Sequence, residues 1–396
     1  MKLAWISSWP PRPCGIATYS ADLVRALKEK GTEIHIVCHT DGGVPGEKHV
    51  HPVIDTSDPA WDETVYETVN GIKPDVLHIQ HEYGLYRTGS DNAAGLFRPL
   101  FRFKTDGGFP VVVTYHSVYT VLNSMMSSYM VVMQNLVDAG IVHEEYQRAY
   151  LPFNTGTLFS NVYVIPHGAK VVTNVARDEA KKRLGLEGKK IIGMIGWFTP
   201  TKGFHRLLGG WDRLSEELGP DTVLVLAGDA RTLDPAQQEY KKKLLEMAEQ
   251  GRFKDRVKII LGSFEPEEYE RVLQAFDVMV MPYTFASQSG NLAHSFSLGV
   301  PVVATGMEGL KEEIEKSRAG IAVPPGDDEE LFSSVHKLIT DNETHKRYSR
   351  NALSYVKNRI GWPIVADKHL SLYRDLIKSK RAGTAQPVRG KPGKGH

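Results

Sequence analysis

The sequence predicts an α/β protein made of two consecutive domains, each a parallel sheet with helices on both faces. Three observations carry that expectation. The chain has 396 residues, more than a single hydrophobic core usually serves. Near-continuous apolar runs of strand length alternate with helical stretches, the pattern of parallel strands buried on both faces. The alternation also starts afresh near residue 166, where VYVIP ends one series and KIIGMIG later opens another.

In order, LAWISS (3–8) reads as the first strand. A helix follows at 17–30, with Leu23, Val24 and Leu27 on one stripe and Gly31 to close it. EIHIVC (33–38) is the next strand, and 41–58, rich in Gly and Pro, reads as loop, as does 84–108; acceptor specificity is expected in these two loops. A helix at 60–71 ending at Gly71 leads to the buried strand DVLHIQ (75–80). VVVTYH (111–116), a helix at 120–138, GIVH (140–143) and VYVIP (162–166) complete the first half. The second half begins with KIIGMIG (190–196) and a helix from Gly203 to Leu218, whose Phe204, Leu207, Trp211 and Leu214 share one face. TVLVLAG (222–228), VKIILG (257–262), VMVMP (278–282), VPVVAT (300–305) and GIAV (320–323) are buried strands with helices between. Helices over 343–378 end the folded part. The expected domains are 1–165, 166–355, a helix at 356–378 that returns to the first domain, and a basic, disordered tail at 379–396. Both domains read as doubly wound and Rossmann-like, with ligands expected beyond the carboxyl ends of the strands and in a central cleft between them.

Lys plus Arg total 48 and Asp plus Glu 47, so the net charge of +1 argues against a nucleic-acid binder working by bulk charge. Two cysteines, Cys14 and Cys38, make neither a disulfide framework nor a zinc site unaided, and a reducing cytoplasm is the simplest home. Apolar runs fall short of a membrane span. The tail reads as a solvated segment ahead of an anionic-membrane anchor.

The strand-to-helix turns carry the candidate chemistry. SSWPPRPCGIATY (7–19) places Gly15 just before a helix N-terminus, where backbone N–H groups suit an anion or simple packing equally. No GxGxxG is present, which disfavours a dinucleotide cofactor. In GWFTPTKGF (196–204), Lys202 stands at a helix start and reads as a diphosphate clamp or an exposed turn lysine. Gly228 and Asp229 end a strand, with Asp229 read first as a helix cap and second as a ligand contact. Gln288, Ser289, Gly290, Asn291 and Leu292 lead into a helix at 291–298 and could hold phosphate on its N–H groups. His78, His81, His116, His143 and His167 recur at strand ends, where each alone reads as structural and together some line a cleft. No HExxH or Asp-x-Asp spacing points to a metal, and no GxSxG to a serine hydrolase.

RPCGIATY, DVLHIQHEYG, TYHS, VIPHG, GWFTPTKGF, LAGD and SQSGNLAHSFSLGVPVVAT, in that order, resemble the GT-B retaining glycosyltransferases of family 4, the glycosyl transferases group 1 type. The resemblance covers nearly the whole chain. It implies metal-independent transfer of a sugar, with retention, from a nucleotide-diphosphate sugar to a hydroxyl acceptor that is a glycan, lipid-linked or small molecule. UDP is preferred to GDP, no cofactor is implied, and a peripheral membrane contact is allowed. Carried over by position, His116 and Lys202 would be catalytic. Gly15, Thr199, Lys202, Gly228, Asp229, Gln288, Ser289, Gly290, Asn291, Leu292 and His294 would hold the donor. His81, Glu82, His116 and His167 would hold the acceptor. Two departures stand out. Ala286 and His294 occupy the places of a frequent glutamate pair, and Trp197 that of a frequent arginine, for which Arg206 or Arg12 could substitute. The same fold also accommodates a catalytically silent sugar-binding protein and a sugar phosphorylase or epimerase.

Overall fold

A computed structural model describes residues 1–86, 94–231, 234–286 and 289–383. The chain divides into two units, Met1–Gly168 with Trp362–His396, and Ala169–Gly361. The chain's return therefore falls at Gly361/Trp362 rather than at 355/356.

The first unit runs β1 (Lys2–Ile6), α1 (Gly15–Glu29), β2 (Glu33–His39), β3 (Val50–Ile54), α2 (Trp61–Ile72), β4 (Val76–His81), α3 (Phe97–Asp106), β5 (Val111–Tyr115), α4 (Ser124–Leu136), β6 (Ala139–Val142), α5 (Glu145–Thr155) and β7 (Val162–Val164). Among the described residues its seven strands are all parallel in the order β3-β2-β1-β4-β5-β6-β7, so the winding reverses between β1 and β4. Alternate residues feed opposite faces: Ala4 and Ile6 join Leu77, Phe103 and Val113, while Leu3 and Trp5 join Leu23, Leu27 and Ile36.

The first unit departs from the sequence expectation at three places. Residues 50–54 form a strand where a loop was expected. Pro52 lacks an N–H, and the structure tolerates it because β3 is the edge. The stretch 84–108, read as loop, contains α3. The helix α2 runs past Gly71 to Ile72, and Lys73 takes the left-handed turn (φ +53°) that a glycine was expected to supply.

The second unit runs α6 (Arg177–Arg183), β8 (Lys190–Ile195), α7 (Phe204–Leu218), β9 (Thr222–Gly228), α8 (Pro235–Gln250), β10 (Val257–Leu261), α9 (Pro266–Gln274), β11 (Val278–Met281), α10 (Gly290–Ser297), β12 (Val302–Thr305), α11 (Glu308–Ser317), β13 (Gly320–Val323), α12 (Asp328–Thr340) and α13 (Asn342–Tyr355). Among the described residues its six parallel strands are ordered β10-β9-β8-β11-β12-β13, and the winding reverses between β8 and β11. Gly203 is left-handed (φ +72°), so α7 begins one residue later than expected, after a short 3-10 turn at Pro200–Lys202. The helix α10, by contrast, starts one residue earlier than expected, at Gly290, and stops at Ser297. The Lys181 ammonium lies 2.8 Å from the Asp277 carboxylate, which also accepts the Ile191 N–H at 2.7 Å; the pair fastens α6 to the middle of the sheet.

A π-turn at Val356–Ile360 precedes α14 (Trp362–Arg381), which belongs to the first unit. Leu370, Tyr373 and Leu376 pack with Trp5, Leu23 and Leu27, and burial of each such side chain stabilises by about 1.5–3 kcal/mol. A Cβ on Gly168 would lie 2.0 Å from the Trp362 ring, so only glycine fits there. The helix includes Ser379 to Arg381, part of the expected tail; residues 384–396 lie outside the described residues.

Candidate functional site

In doubly wound sheets a ligand site forms where the winding reverses, beyond the carboxyl ends of the flanking strands. In the second unit those strands are β8 and β11. Gly196, at the end of β8, has φ +135°, and a Cβ there would meet Lys202 Nζ at 2.8 Å. Lys202 Nζ lies 3.5 Å from the Tyr283 hydroxyl and 5.2 Å from its ring centre. Among the described residues, no carboxylate lies within ion-pair distance of that ammonium. Asn291, in the first turn of α10, donates from Nδ2 to the Ile195 carbonyl at 2.7 Å and accepts the Tyr269 hydroxyl at 2.6 Å. The side chain expected to touch a ligand is thus committed to tying α10 and α9 to the end of β8. Ser289 stands at the N-cap without a side-chain cap bond, Gly290 opens the helix, and Leu292 is buried. His294, one turn on, sits edge-on to Tyr269 at 5.5 Å. Gln288 lies outside the described residues.

The neighbouring turn is held just as tightly. Gly228 has φ +148°, and a Cβ there would fall 1.9 Å from the Gly196 carbonyl oxygen. The Phe198 N–H bonds the Asp229 carbonyl at 2.9 Å, which zips the turns after β8 and β9 together. Asp229 caps no helix, contrary to the first reading: its carboxylate takes the Ala230 N–H at 2.7 Å and the Lys241 ammonium at 2.6 Å, and Asp234 caps α8 instead. Thr199 bonds Thr201 at 3.1 Å. Arg206 is bound to Asp328 and to the Pro282 carbonyl, and Arg12 to Asp41, so both guanidiniums already have partners. Sequence reasoning passed over Arg231, which stands 5.5 Å over the Trp197 ring. A groove of about 1050 Å³ beside Ile314, Arg318, Tyr348 and Tyr355 includes none of these residues.

The first unit presents a different surface. Gly15 opens α1, exposed, with empty space where a Cβ would stand. His116, after β5, is buried; its Nε2 lies 2.7 Å from Gln80 Oε1, and its ring is edge-on to Tyr19 at 4.8 Å. Tyr19 also meets His143, His167 and Trp362 at 5.5, 4.9 and 5.3 Å, so three of the five strand-end histidines converge on one tyrosine. Gln80 continues through His78 to Thr114 and to the Tyr373 hydroxyl on α14. Burial, followed by the neighbouring histidines, holds His116 well below the ordinary imidazole range. It pushes His143 down to about 3. Both rings are therefore neutral at physiological pH. His81 does not join this group: it bonds Tyr129 at 2.8 Å inside the opposite core, and burial pushes it down to about 3. Glu82 accepts the Gly84 N–H at 2.7 Å, and His167 bonds the Gly168 carbonyl at 2.8 Å.

A family model described as "Glycosyl transferases group 1" matches residues 176–355. One described as "Glycosyltransferase Family 4" matches 13–172. Over nearly its whole length the fold also superposes on a crystal structure of Anabaena Alr3699/HepE in complex with UDP, with TM-score 0.75 and 18% identity, covering 95% of this chain and 100% of that one. The chain belongs to the GT-B glycosyltransferases. Among curated relatives, the glycosyltransferase is 26% identical to the D-inositol 3-phosphate glycosyltransferase of Corynebacterium urealyticum over 80% of this chain and 75% of that protein. It is 26% identical to spore coat protein SA of Bacillus subtilis over 50% of this chain and 52% of that protein. The aligned part thus spans about half the length of several curated relatives. No helix of the described residues is long and apolar enough to cross a membrane.

Proposed function

We propose that this glycosyltransferase moves a sugar, with retention and without a catalytic metal, from a nucleotide-diphosphate sugar to a hydroxyl acceptor that is a carbohydrate or is lipid-linked. The observation that carries the reading is Lys202: an ammonium without a carboxylate partner among the described residues, at the end of β8 where the second sheet reverses. Breaking the bond from sugar to phosphate builds negative charge on the departing diphosphate, and a cation fixed beforehand stabilises that charge without reorganising. The first turn of α10 adds its N–H groups to the same charge. Arg231, carried on Trp197, supplies the second cation in place of the absent family arginine. UDP is favoured as carrier because the superposed HepE structure contains it.

The second unit then holds the donor and the first the acceptor. His116, neutral through burial, offers hydrogen bonds to sugar hydroxyls rather than a charge. The departing phosphate accepts the acceptor's proton, so no protein nucleophile is required. Ala286 and His294 favour a second reading, a silent sugar binder, because no carboxylate at either place can hold the ribose. Thermal-shift measurements with UDP, GDP and ADP, followed by donor-hydrolysis and transfer assays, decide the matter. A shift with UDP that Lys202→Ala removes, together with slow release of UDP from a UDP-sugar, is the expected result. A shift without any turnover favours the silent binder, and no shift with any nucleotide refutes the donor site.

A further inference from the structure

At the other end of the first sheet, three histidines and a glutamate meet where the fold calls for none. Glu33 and His35 are two apart on β2, so their side chains share a face; His51 lies on the adjoining edge strand β3, and His49 immediately precedes that strand. Parallel pairing aligns the two strands from Ile36 and Val50 onward. His35 Nε2 lies 3.0 Å from Glu33 Oε1 and 3.1 Å from His49 Nδ1. His49 Nδ1 is also 3.4 Å from His35 Nδ1, and His35 Nδ1 is 3.3 Å from His51 Nε2. One ligand atom from each of Glu33, His35 and His49 falls within a 4.8 Å group.

We propose that Glu33, His35 and His49 bind a divalent transition-metal ion of the zinc type, with His51 as a positioning residue. The spacing fits. Two donors on one tetrahedral zinc, each about 2.0–2.1 Å from the ion, stand about 3.3 Å apart, and the observed donors stand 3.0 and 3.1 Å apart. The chemistry fits as well: two imidazoles and one carboxylate suit zinc rather than magnesium or calcium, which take oxygen ligands. His51 faces the other ring nitrogen of His35, where its hydrogen bond would fix the tautomer that leaves Nε2 free for the ion. His49 itself has φ +63°, a left-handed backbone uncommon outside glycine. That turn directs its ring back over His35, at 4.3 Å between ring centres.

The position also assigns a task. The strands β2 and β3 are parallel, yet only residues 40–49 join them, with no helix in the crossover. Such a connection ordinarily takes a dozen residues or more. An ion on His49 would pin the far end of this short span to the start of β2. Glu33 and His35 lie at the amino end of β2, and His35 is four residues, about 13 Å, from its carboxyl end. The ion would therefore act on stability and loop order, and not on the transferred sugar.

The full-length protein, stripped of metal by chelator and dialysed, would be titrated with zinc chloride by calorimetry, and its melting followed with and without zinc. The expected result is one tight zinc per chain and a raised Tm. Affinity should fall at least tenfold in Glu33→Gln and in His49→Asn, and about tenfold in His51→Ala. Asn is chosen at position 49 because it tolerates the left-handed backbone, and circular dichroism of the metal-free variants checks folding. Absence of stoichiometric zinc binding in the wild type, or equal binding in the wild type, Glu33→Gln and His49→Asn, would overturn the proposal. Sugar transfer by metal-free and zinc-loaded wild type should agree within about twofold; a larger difference would overturn the separation of the ion from the reaction.

Discussion

At the end of β5 the first unit encloses His116 among Tyr19, Gln80 and His143. At the end of β8 the second unit holds Lys202 beside Gly196 and Tyr283 with no carboxylate among the described residues to quench it. The two sheets wind alike and present the same kind of strand end, but they furnish it with opposite electrostatics. In the first unit burial strips charge from a row of imidazoles. In the second, glycines at 196 and 228 remove side-chain bulk so that a lysine and a helix N-terminus reach one place. The comparison shows that one topology can build either a neutral hydrogen-bonding surface or a cationic one, and that the side chains in the turns make the difference.

Acid should break the symmetry most strongly. His81 and His143 are pushed down to about 3 and His369 to about 4, against an ordinary value of 6.5. The unfolded chain therefore takes up these protons near pH 6.5, and the folded chain only near pH 3–4. Their contribution is complete above about pH 6.5 and declines as pH falls through that window, by about 4 kcal/mol per pH unit for three such groups in its middle. All three lie in the first unit. Tryptophan fluorescence, to which Trp5, Trp9, Trp61 and Trp362 contribute there, combined with limited proteolysis, should find the first unit opening at higher pH than the second. Simultaneous opening would deny the difference.

Next in size is Gly228→Ala. Its Cβ would overlap the Gly196 carbonyl oxygen and force a side chain into left-handed backbone, at a cost of about 3 kcal/mol. A Tm within 2 °C of wild type, by calorimetry, would show that the two turns are looser than described. Lys202→Ala should reduce transfer about 100-fold, as loss of one preorganised donor to developing charge does, while leaving Tm nearly unchanged because the residue is on a turn. Wild-type turnover would remove the diphosphate assignment. Arg231→Ala should have the smallest effect of these, a loss of about fivefold, since an exposed cation acts through water. Equal losses in the two variants would mean that the cationic end has two comparable centres rather than one.

The order of helices and strands was readable because buried parallel strands leave unbroken apolar runs and their covering helices leave a stripe. Where that grammar failed, a specific feature overrode it. The strand β3 carries Pro52 and follows a stretch with Gly42, Gly43 and Gly46, and its place at the sheet edge lets it be a strand. Asp229 reads as a cap, yet Lys241, twelve residues on and nearly two helix turns inside α8, claims its carboxylate. His116 and His81 occupy equivalent strand ends, but the pleat and the covering helices send one toward Tyr19 and the other toward Tyr129. The metal-like group is only half visible in the chain: Glu33-x-His35 has the strand period, but His49 joins it through a left-handed turn ahead of β3 that no periodicity announces.

By itself, the sequence determined the two series of alternating strands and helices and the glycines and lysine in the turns of the second half, because these follow from local periodicity and from turns that only certain residues can make; where each winding reverses was decided by strand pairing. Tertiary structure decided which charges survive. Asn291 reaches Ile195 across 96 positions, Tyr373 reaches His78 across 295, and Arg206 is taken by Asp328. Electrostatic partners are chosen by proximity in space, which no spacing along the chain encodes.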